Sequence, residues 1–244
     1  MKISYSAVWQ DMLGLMRRHA SLAIALAGFF IFLPALLVDQ FIPSPEPRTV
    51  EEMWPMLREY FEANWHWILL SGLATMLGGI AILMLALGRG GTVGAIIAAS
   101  LVLLPFYFLA SLGSGLIIVA GFIALIVPGI YLLGRLVLTA PVVVAENQRN
   151  PVSAIARSWE LSKDNGWAVA GFLILVGIAA TIVSLVATGL LGLVLYAALP
   201  DGPDAFVHSV VKTAFSTAVS VLFVFIYAAL YRRLSGADTA SAFA

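Results

Sequence analysis

The chain has 244 residues, of which 61% are apolar and only 11% are charged. Soluble domains carry roughly 25% charged residues, so this composition cannot cover a water-exposed surface, and lipid must be the solvent for most of the chain. Thirteen basic residues balance thirteen acidic ones, which excludes an overall basic field for nucleic acid. The absence of cysteine excludes disulfides, thiolate metal sites and cysteine nucleophiles.

Residues 4–18 predict a helix that lies in the membrane interface, because their apolar side chains fall on one helical stripe. The alternative is a plain cytoplasmic extension of the first span. That span is predicted at about 20–42, and we interpret it as retained because it is long and no cleavage site follows it. The stripe consists of Val8, Met12, Leu15 and Met16.

A proline-rich connection at 43–47 leads to an acidic and aromatic segment at 49–65, which predicts a short helix on the membrane surface. Hydropathy then predicts five further spans. These lie at about 67–87, 92–112, 116–143, 167–198 and 207–231.

The apolar stretch at 92–145 is longer than one span of about 20 residues, which requires a hairpin inside it. We expect this hairpin at Gly113-Ser114-Gly115. Pro128-Gly129 then falls inside span four and predicts a structural kink, because proline removes a backbone hydrogen bond.

The polar segment between spans four and five predicts an amphipathic linker helix. Asn150 is expected to cap it, Pro151 to occupy its first turn, and Lys163 to lie near its end. Basic residues beside Trp159 suit an inner-leaflet surface of anionic lipid. A surface for a protein partner and an ordinary loop are the alternative interpretations.

Lysine and arginine predict the orientation of the chain. With a cytoplasmic N-terminus, nine basic residues face the inner side and three face the outer side, as the positive-inside rule requires. The prediction is therefore one all-α domain of six spans at 1–234 and a flexible tail at 235–244, with both termini cytoplasmic. The inner set is Lys2, Arg17, Arg18, Arg89, Arg149, Arg157, Lys163, Arg232 and Arg233, and the outer set is Arg48, Arg58 and Lys212.

Residues 128–163 carry a recognisable pattern: Pro128-Gly129-Ile130-Tyr131, then Arg135, Pro141 and Glu146, then Ala154 to Lys163. This segment resembles the membrane domain of glycerophosphoryl diester phosphodiesterases and the related YciC-like inner-membrane proteins, whose pattern reads PGIYL…R…P…E…AL.RS.EL.KG. The resemblance implies a six-helix module in a bacterial inner (plasma) membrane. It does not carry the hydrolase activity over, because the fused phosphodiesterase domain of some relatives is absent from these 244 residues.

Arg135 is the leading candidate for a functional residue, because ionisable side chains inside a span are costly. Its expected partner is Glu146 or a lipid phosphate at the inner leaflet, where a guanidinium group can bind two oxygens. The alternative is that Arg135 snorkels to the interface or forms a structural pair. The residues predicted to contact lipid or ligand are Arg135, Glu146, Arg149, Arg157, Trp159 and Lys163.

No pattern in the sequence predicts catalysis, a cofactor or a metal. The histidines at positions 19, 66 and 208 are isolated, and no nucleophile motif or metal-binding motif is present. A membrane-embedded lipid enzyme would need Arg135, Glu146 and a histidine to converge.

We therefore predict a non-catalytic module, accessory or scaffold, that acts in membrane or lipid homeostasis and contacts anionic lipid at the inner leaflet. A protein partner or a homodimer is compatible with this function. The alternative is a small transporter or channel, which would need polar groups along a path through the bundle.

Overall fold

The computed structural model describes residues 3–42, 45, 47, 49–89, 91–198 and 205–236. Within these residues the chain is almost entirely helical and contains no strand. Six helices are long and apolar enough to cross a membrane, so the prediction of an all-α polytopic membrane protein is confirmed. Most of the predicted tail, from 237 onward, and most of the connections at 43–47 and 200–204 lie outside the described residues.

The first span is one continuous helical segment from Tyr5 to Phe41. It consists of α1 (Tyr5–Ala27), a π-helical turn (Gly28–Phe32) and α2 (Leu33–Phe41). The N–H group of Leu33 bonds to the carbonyl of Gly28, and Pro34 has no N–H group with which to continue the α-helical ladder.

Residues 4–18 therefore do not form a separate helix. The alternative interpretation, that they extend span one, agrees with the structure. Its apolar stripe does not face lipid, since Val8 and Met12 are fully buried and Leu15 nearly so. Similarly, the short surface helix expected at 49–65 is the beginning of α3 (Val50–Ala86), which Thr49 caps by accepting from the N–H group of Glu52.

The hairpin between spans three and four is not at Gly113-Ser114-Gly115, which lies inside α4 (Val93–Ala124). The chain reverses at Leu125, in extended conformation, and α5 (Ile126–Leu136) follows. Pro128 explains this position, because it cannot donate to the carbonyl four residues earlier, that of Ala124. Pro128 and Gly129 thus begin a helix, and the prediction that they kink span four is wrong.

The break within span four lies at Val137-Leu138, between α5 and α6 (Thr139–Ala145). Pro141 favours a break at this position, because its ring crowds the carbonyl of Val137 and it cannot donate to that carbonyl. The linker helix α7 (Pro151–Leu161) forms as predicted, with the Asn150 side chain accepting from the N–H groups of Val152 and Ser153.

Two long helices, α8 (Gly166–Ala198) and α9 (Ala205–Leu234), complete the described bundle. Helix α1 packs on α3 and α9, α4 packs on α5, α6 and α7, and α5 packs on α8. The densest part of the core is formed by Ile80–Ala86 of α3, Val142–Val144 of α6 and Phe225–Leu230 of α9. By contrast, α8 leaves the bundle after its first turns, and Ile182, Leu185 and Leu193 are mostly exposed.

Candidate functional site

Arg135 lies in the last turn of α5 and is 6% exposed. Its Nη1 donates to the hydroxyl of Tyr131 at 2.8 Å, and its Nη2 donates to the carbonyl oxygen of Trp159 at 2.6 Å. The guanidinium carbon lies 3.9 Å from the centroid of the Trp159 ring, a cation–π contact. The two contacts with Trp159 attach α7 to α5, and the hydrogen bond to Tyr131 orients the guanidinium group within α5.

The backbone of Arg135 is held by the same helix. Its carbonyl oxygen accepts from the hydroxyl of Ser158 at 2.9 Å and from that of Ser162 at 3.0 Å. The carbonyls at the end of a helix lack intrahelical partners, and burying them unpaired would cost free energy. The next carbonyl, that of Leu136, accepts from the Thr139 hydroxyl at 2.7 Å. Hydroxyl groups thus satisfy these carbonyls at the break between α5 and α6.

Two glycines bring α5 and α8 into close contact beside Arg135. A Cβ atom on Gly134 would lie 2.1 Å from the carbonyl oxygen of Gly166, and one on Gly166 would lie 2.6 Å from Cδ of Arg135. The rings of Tyr131 and Trp167 lie beside this crossing, 5.4 Å apart. The Arg135 cluster is defined as Tyr131, Gly134, Arg135, Ser158, Trp159, Ser162, Gly166 and Trp167.

The Arg135 cluster contains a cation without a counter-ion. Among the described residues no carboxylate pairs with Arg135, and its Nε atom is buried without a hydrogen-bond partner. A buried charge that is incompletely compensated is costly. The two hydrogen bonds and the indole face offset part of that cost, and the two contacts made by Trp159 exist only while α7 stays docked.

Glu146 does not pair with Arg135, so that prediction is wrong. Its Oε1 accepts from Nε of Arg157 at 3.1 Å and from the hydroxyl of Tyr231 at 3.1 Å, which joins α7 and α9 at the end of α6. Arg157 also pairs with Glu160 at 3.3 Å. The hydrogen bond to Glu146 raises the pKa of the Arg157 guanidinium.

Arg149 and Lys163, the remaining basic residues of the predicted site, are exposed, and their side chains have no partner among the described residues. Trp159 is 41% exposed and Val152 is 74% exposed. Exposed apolar side chains on α7 thus lie beside the Arg157–Glu160 ion pair, and the basic residues Arg149 and Lys163, the latter followed by the exposed Asp164, flank the two ends of the helix.

The buried face of α7 was missed by the analysis of the sequence. It consists of Ala154, Ser158 and Ser162, all with no measurable exposure. Apolar periodicity cannot identify such a face because its residues are small and two of them are polar. The available signal was their spacing of four residues, which aligns them on one side of a helix.

Two of the cavities between the described helices bear on function. The larger, of about 1050 Å³, is a groove between α1, α8 and α9 lined almost wholly by apolar side chains. The smaller, of about 450 Å³, lies between α4, the α5–α6 pair, α8 and α9. The hydroxyls of Ser114 and Thr139, which line it, donate to helix carbonyls: Ser114 to that of Ser111 in α4, and Thr139 to that of Leu136 at the end of α5.

Residues 55–234 match the model of a family described as a domain of unknown function (DUF7847). Neither a curated protein nor a solved structure matches the chain.

Proposed function

The chain belongs to the DUF7847 family, and we propose that it is a non-catalytic membrane module that binds anionic lipid at the cytoplasmic leaflet through the outward surface of α7. One observation carries this proposal. The outward surface of α7 combines the exposed side chains of Val152 and Trp159 with the unpaired charges of Arg149 and Lys163. Such a surface suits the boundary between acyl chains and anionic headgroups.

In this proposal Arg135 is a positioning residue. It holds α7 against α5 through its contacts with Trp159, while the Tyr131 hydroxyl orients its guanidinium group, so the outward surface keeps one orientation. Arg157 contributes in a similar way, because both of its carboxylate partners are within the protein. Arg149 and Lys163 are therefore the residues that bind lipid phosphates in this proposal.

The proposed leaflet depends on the orientation of the chain, for which the excess of basic residues on one side is the support. Both termini are then cytoplasmic and the membrane is a bacterial inner membrane. The chain contains no cysteine, so single cysteines can test this directly. A membrane-impermeant maleimide applied to intact cells should label Glu59→Cys and leave Ser235→Cys unlabelled, and the reverse pattern would refute the orientation.

We further propose kinship with the membrane domain of glycerophosphoryl diester phosphodiesterases and with YciC-like proteins, and an accessory or scaffold function in lipid homeostasis. The support is that several residues of the shared pattern lie together: Tyr131, Arg135, Ser158 and Trp159 contact one another. In this proposal the shared pattern serves the docking of α7.

The lipid experiment uses the full chain in nanodiscs that contain equal amounts of phosphatidylglycerol and phosphatidylcholine. After extraction into mild detergent, native mass spectrometry counts the retained lipids of each headgroup. We expect enrichment of phosphatidylglycerol, and a several-fold loss of that enrichment in the double variant Arg149→Gln, Lys163→Gln. Arg58→Gln is the matched control, because it removes an exposed arginine at the opposite end of the bundle. Equal enrichment in the double variant and the wild type would refute the proposal.

The alternative, a small transporter or channel, is supported by the cavity of about 450 Å³ between α4, the α5–α6 pair, α8 and α9. Two of its hydroxyls, those of Ser114 and Thr139, are already bonded to helix carbonyls, which makes this cavity a weaker support than the surface of α7. Proteoliposomes that leak a small polar dye only when they contain the protein would favour this alternative.

A further inference from the structure

The groove between α1, α8 and α9 is a second feature with the character of a binding site, and it does not involve α7. Its volume of about 1050 Å³ lies just above the range of about 300–1,000 Å³ typical of small-molecule pockets. It forms because α8 contacts α1 near its beginning, where the rings of Tyr5 and Phe172 are 5.3 Å apart, and diverges from the bundle further along.

The polar groups of the groove lie mostly at one end. Tyr5, Ser6 and Trp9 line it at the beginning of α1, whereas the α1 side chains from Ala20 to Phe32 that line it are apolar. Elsewhere in the groove only Ser184 and Thr217 are polar, and the Ser184 carbonyl accepts from Thr188 on its own helix. A ligand that fits this distribution has one polar end and a long apolar part.

A positive charge lies where the polar part of the groove meets the apolar part. Arg17 precedes Ala20 by three residues and Ile24 by seven, so it shares a helical face with these two groove-lining residues. It is exposed, and its side chain has no partner among the described residues. A guanidinium group at this position can bind phosphate oxygens.

The length of the apolar part also limits the ligand. From Ala20 to Phe32 the helix rises by about 18 Å at 1.5 Å per residue. One leaflet of a bilayer with a hydrocarbon core of about 30 Å contributes about 15 Å. The apolar part of the groove therefore matches the length of an acyl chain in one leaflet.

We propose that this groove binds one membrane phospholipid, with its phosphate at Arg17 and Trp9 and its acyl chains along α1 between α8 and α9. The helices on either side then separate because a lipid occupies the space between them. This site is distinct from the surface of α7, and either can exist without the other.

The first test fills the groove. Ala180 and Ala218 line it from α8 and α9, so Ala180→Trp or Ala218→Trp would occupy the space of the acyl chains. The matched control is Ala99→Trp, an exposed alanine of α4 that lines neither cavity. Native mass spectrometry at a collision energy that strips loosely held lipid should show one phospholipid on the wild type and on Ala99→Trp, and at least five-fold less on the groove variants. Equal retention by all four proteins, or equal loss in the control, would overturn the proposal.

A second measurement uses the wild type and so does not depend on the folding of a variant. A phospholipid with a photoactivatable group in its acyl chain is irradiated with the protein in nanodiscs, and the labelled peptides are mapped. Labels concentrated in 20–32, 172–184 and 214–225 support the groove. Labels spread evenly over the lipid-facing residues of all spans would contradict it. The double variant Arg149→Gln, Lys163→Gln should label like the wild type, which separates this site from the surface of α7.

Discussion

The Arg135 cluster and the groove between α1, α8 and α9 are two regions of one bundle, built from similarly apolar helices, that differ completely in packing. In the cluster, a guanidinium group, two serine hydroxyls and two glycines bring α5, α7 and α8 into close contact. In the groove, α8 and the α1–α9 pair leave about 1050 Å³ between them.

This difference has a physical reason. Lipid tails are as apolar as leucine, so burying an apolar side chain between spans yields little free energy that lipid contact would not also provide. Hydrogen bonds and close backbone contacts through glycine therefore decide which spans pack tightly. The cluster has both kinds of contact, and the groove is lined almost only by apolar side chains. The following variants test this comparison, beginning with the largest expected effect.

Gly134→Ala should be the most damaging single substitution in the cluster. The added Cβ atom would meet the carbonyl oxygen of Gly166, and backbone cannot move aside as a flexible side chain can. We expect a loss of about 3 kcal/mol, the upper part of the range for overpacking. Thermal unfolding in detergent, followed by tryptophan fluorescence, measures it. Gly72→Ala is the control, since nothing lies within 4 Å of its added Cβ, and it should be neutral or slightly stabilising. A wild-type melting temperature for Gly134→Ala would show that α5 and α8 do not cross so closely.

Arg135→Ala should release α7. The variant loses hydrogen bonds to a charged group, which contribute about 1.5–3 kcal/mol each. It also removes a buried charge that has no counter-ion, and this stabilises the folded state and offsets part of the loss. We therefore expect the free energy of unfolding to fall by about 2 kcal/mol. Hydrogen exchange of residues 151–162 in nanodiscs should accelerate, while exchange in α3 should not. Arg135→Lys should recover only part of the protection, because lysine lacks the planar group that stacks on Trp159. Full protection in Arg135→Lys would indicate that charge alone holds α7.

The two serines of α7 should substitute for each other. The hydroxyls of Ser158 and Ser162 both lie within hydrogen-bond distance of the Arg135 carbonyl oxygen, and Ser162 can donate either to that oxygen or to the Ser158 carbonyl at 2.7 Å. Either single change to alanine therefore leaves the Arg135 oxygen one available donor. We expect about 0.5 kcal/mol for each single variant and about 2 kcal/mol for the double variant, which leaves a buried acceptor unpaired. A double-mutant cycle measures the coupling. Strict additivity would mean that the two hydrogen bonds are independent.

Glu146→Gln should have the smallest effect. The pair with Arg157 is partly exposed, with 41% and 30% of the side-chain surfaces accessible, so solvent screening reduces its contribution to below about 1 kcal/mol. Glu146 raises the pKa of Arg157 above its ordinary value. The contribution of the charged Arg157 to the free energy of unfolding is therefore fully present below the ordinary pKa of arginine. It is lost only when the pH rises through the pKa of Arg157 in the folded protein, which is higher still. We therefore expect added salt to weaken the pair and a rise in pH up to 9 to leave it unchanged. The free energy of unfolding, measured at several salt concentrations, checks this. A salt dependence equal to that of wild type would show that the pair adds nothing.

The sequence predicted Glu146 or a lipid phosphate as the partner of Arg135, and the structure does not pair Glu146 with it. Arg135, Trp159 and the Asn150 cap were all expected to matter, and the structure places them in one arrangement. Glu146 was expected beside Arg135 because it is the nearest acid along the chain, yet Arg157 and Tyr231 contact it instead. Tyr131 and the two serines were not identified as partners, since polar residues of this size give no periodic signal.

The turns illustrate the same limit. Glycines suggested a hairpin at 113–115, whereas Pro128 places the reversal at Leu125 and Pro141 places the break of span four at Val137. The effect of a proline falls on the carbonyl four residues before it, which is a local rule that the sequence already contains. Small residues inside α4 instead allow close packing: a Cβ atom on Gly113 would lie 3.1 Å from Cδ1 of Ile155 in α7.

The sequence by itself determined that this protein is a six-span membrane protein, because the length and hydropathy of each span are properties of a single segment measured against the thickness of a bilayer. Only the tertiary structure decided that Arg135 is enclosed by Tyr131 and Trp159, that Glu146 joins α6, α7 and α9, and that α8 leaves a groove beside α1. These features depend on which helices become neighbours. Apolar surfaces that are equally well solvated by lipid do not specify neighbours, so a few polar groups and glycines from distant parts of the chain make that choice.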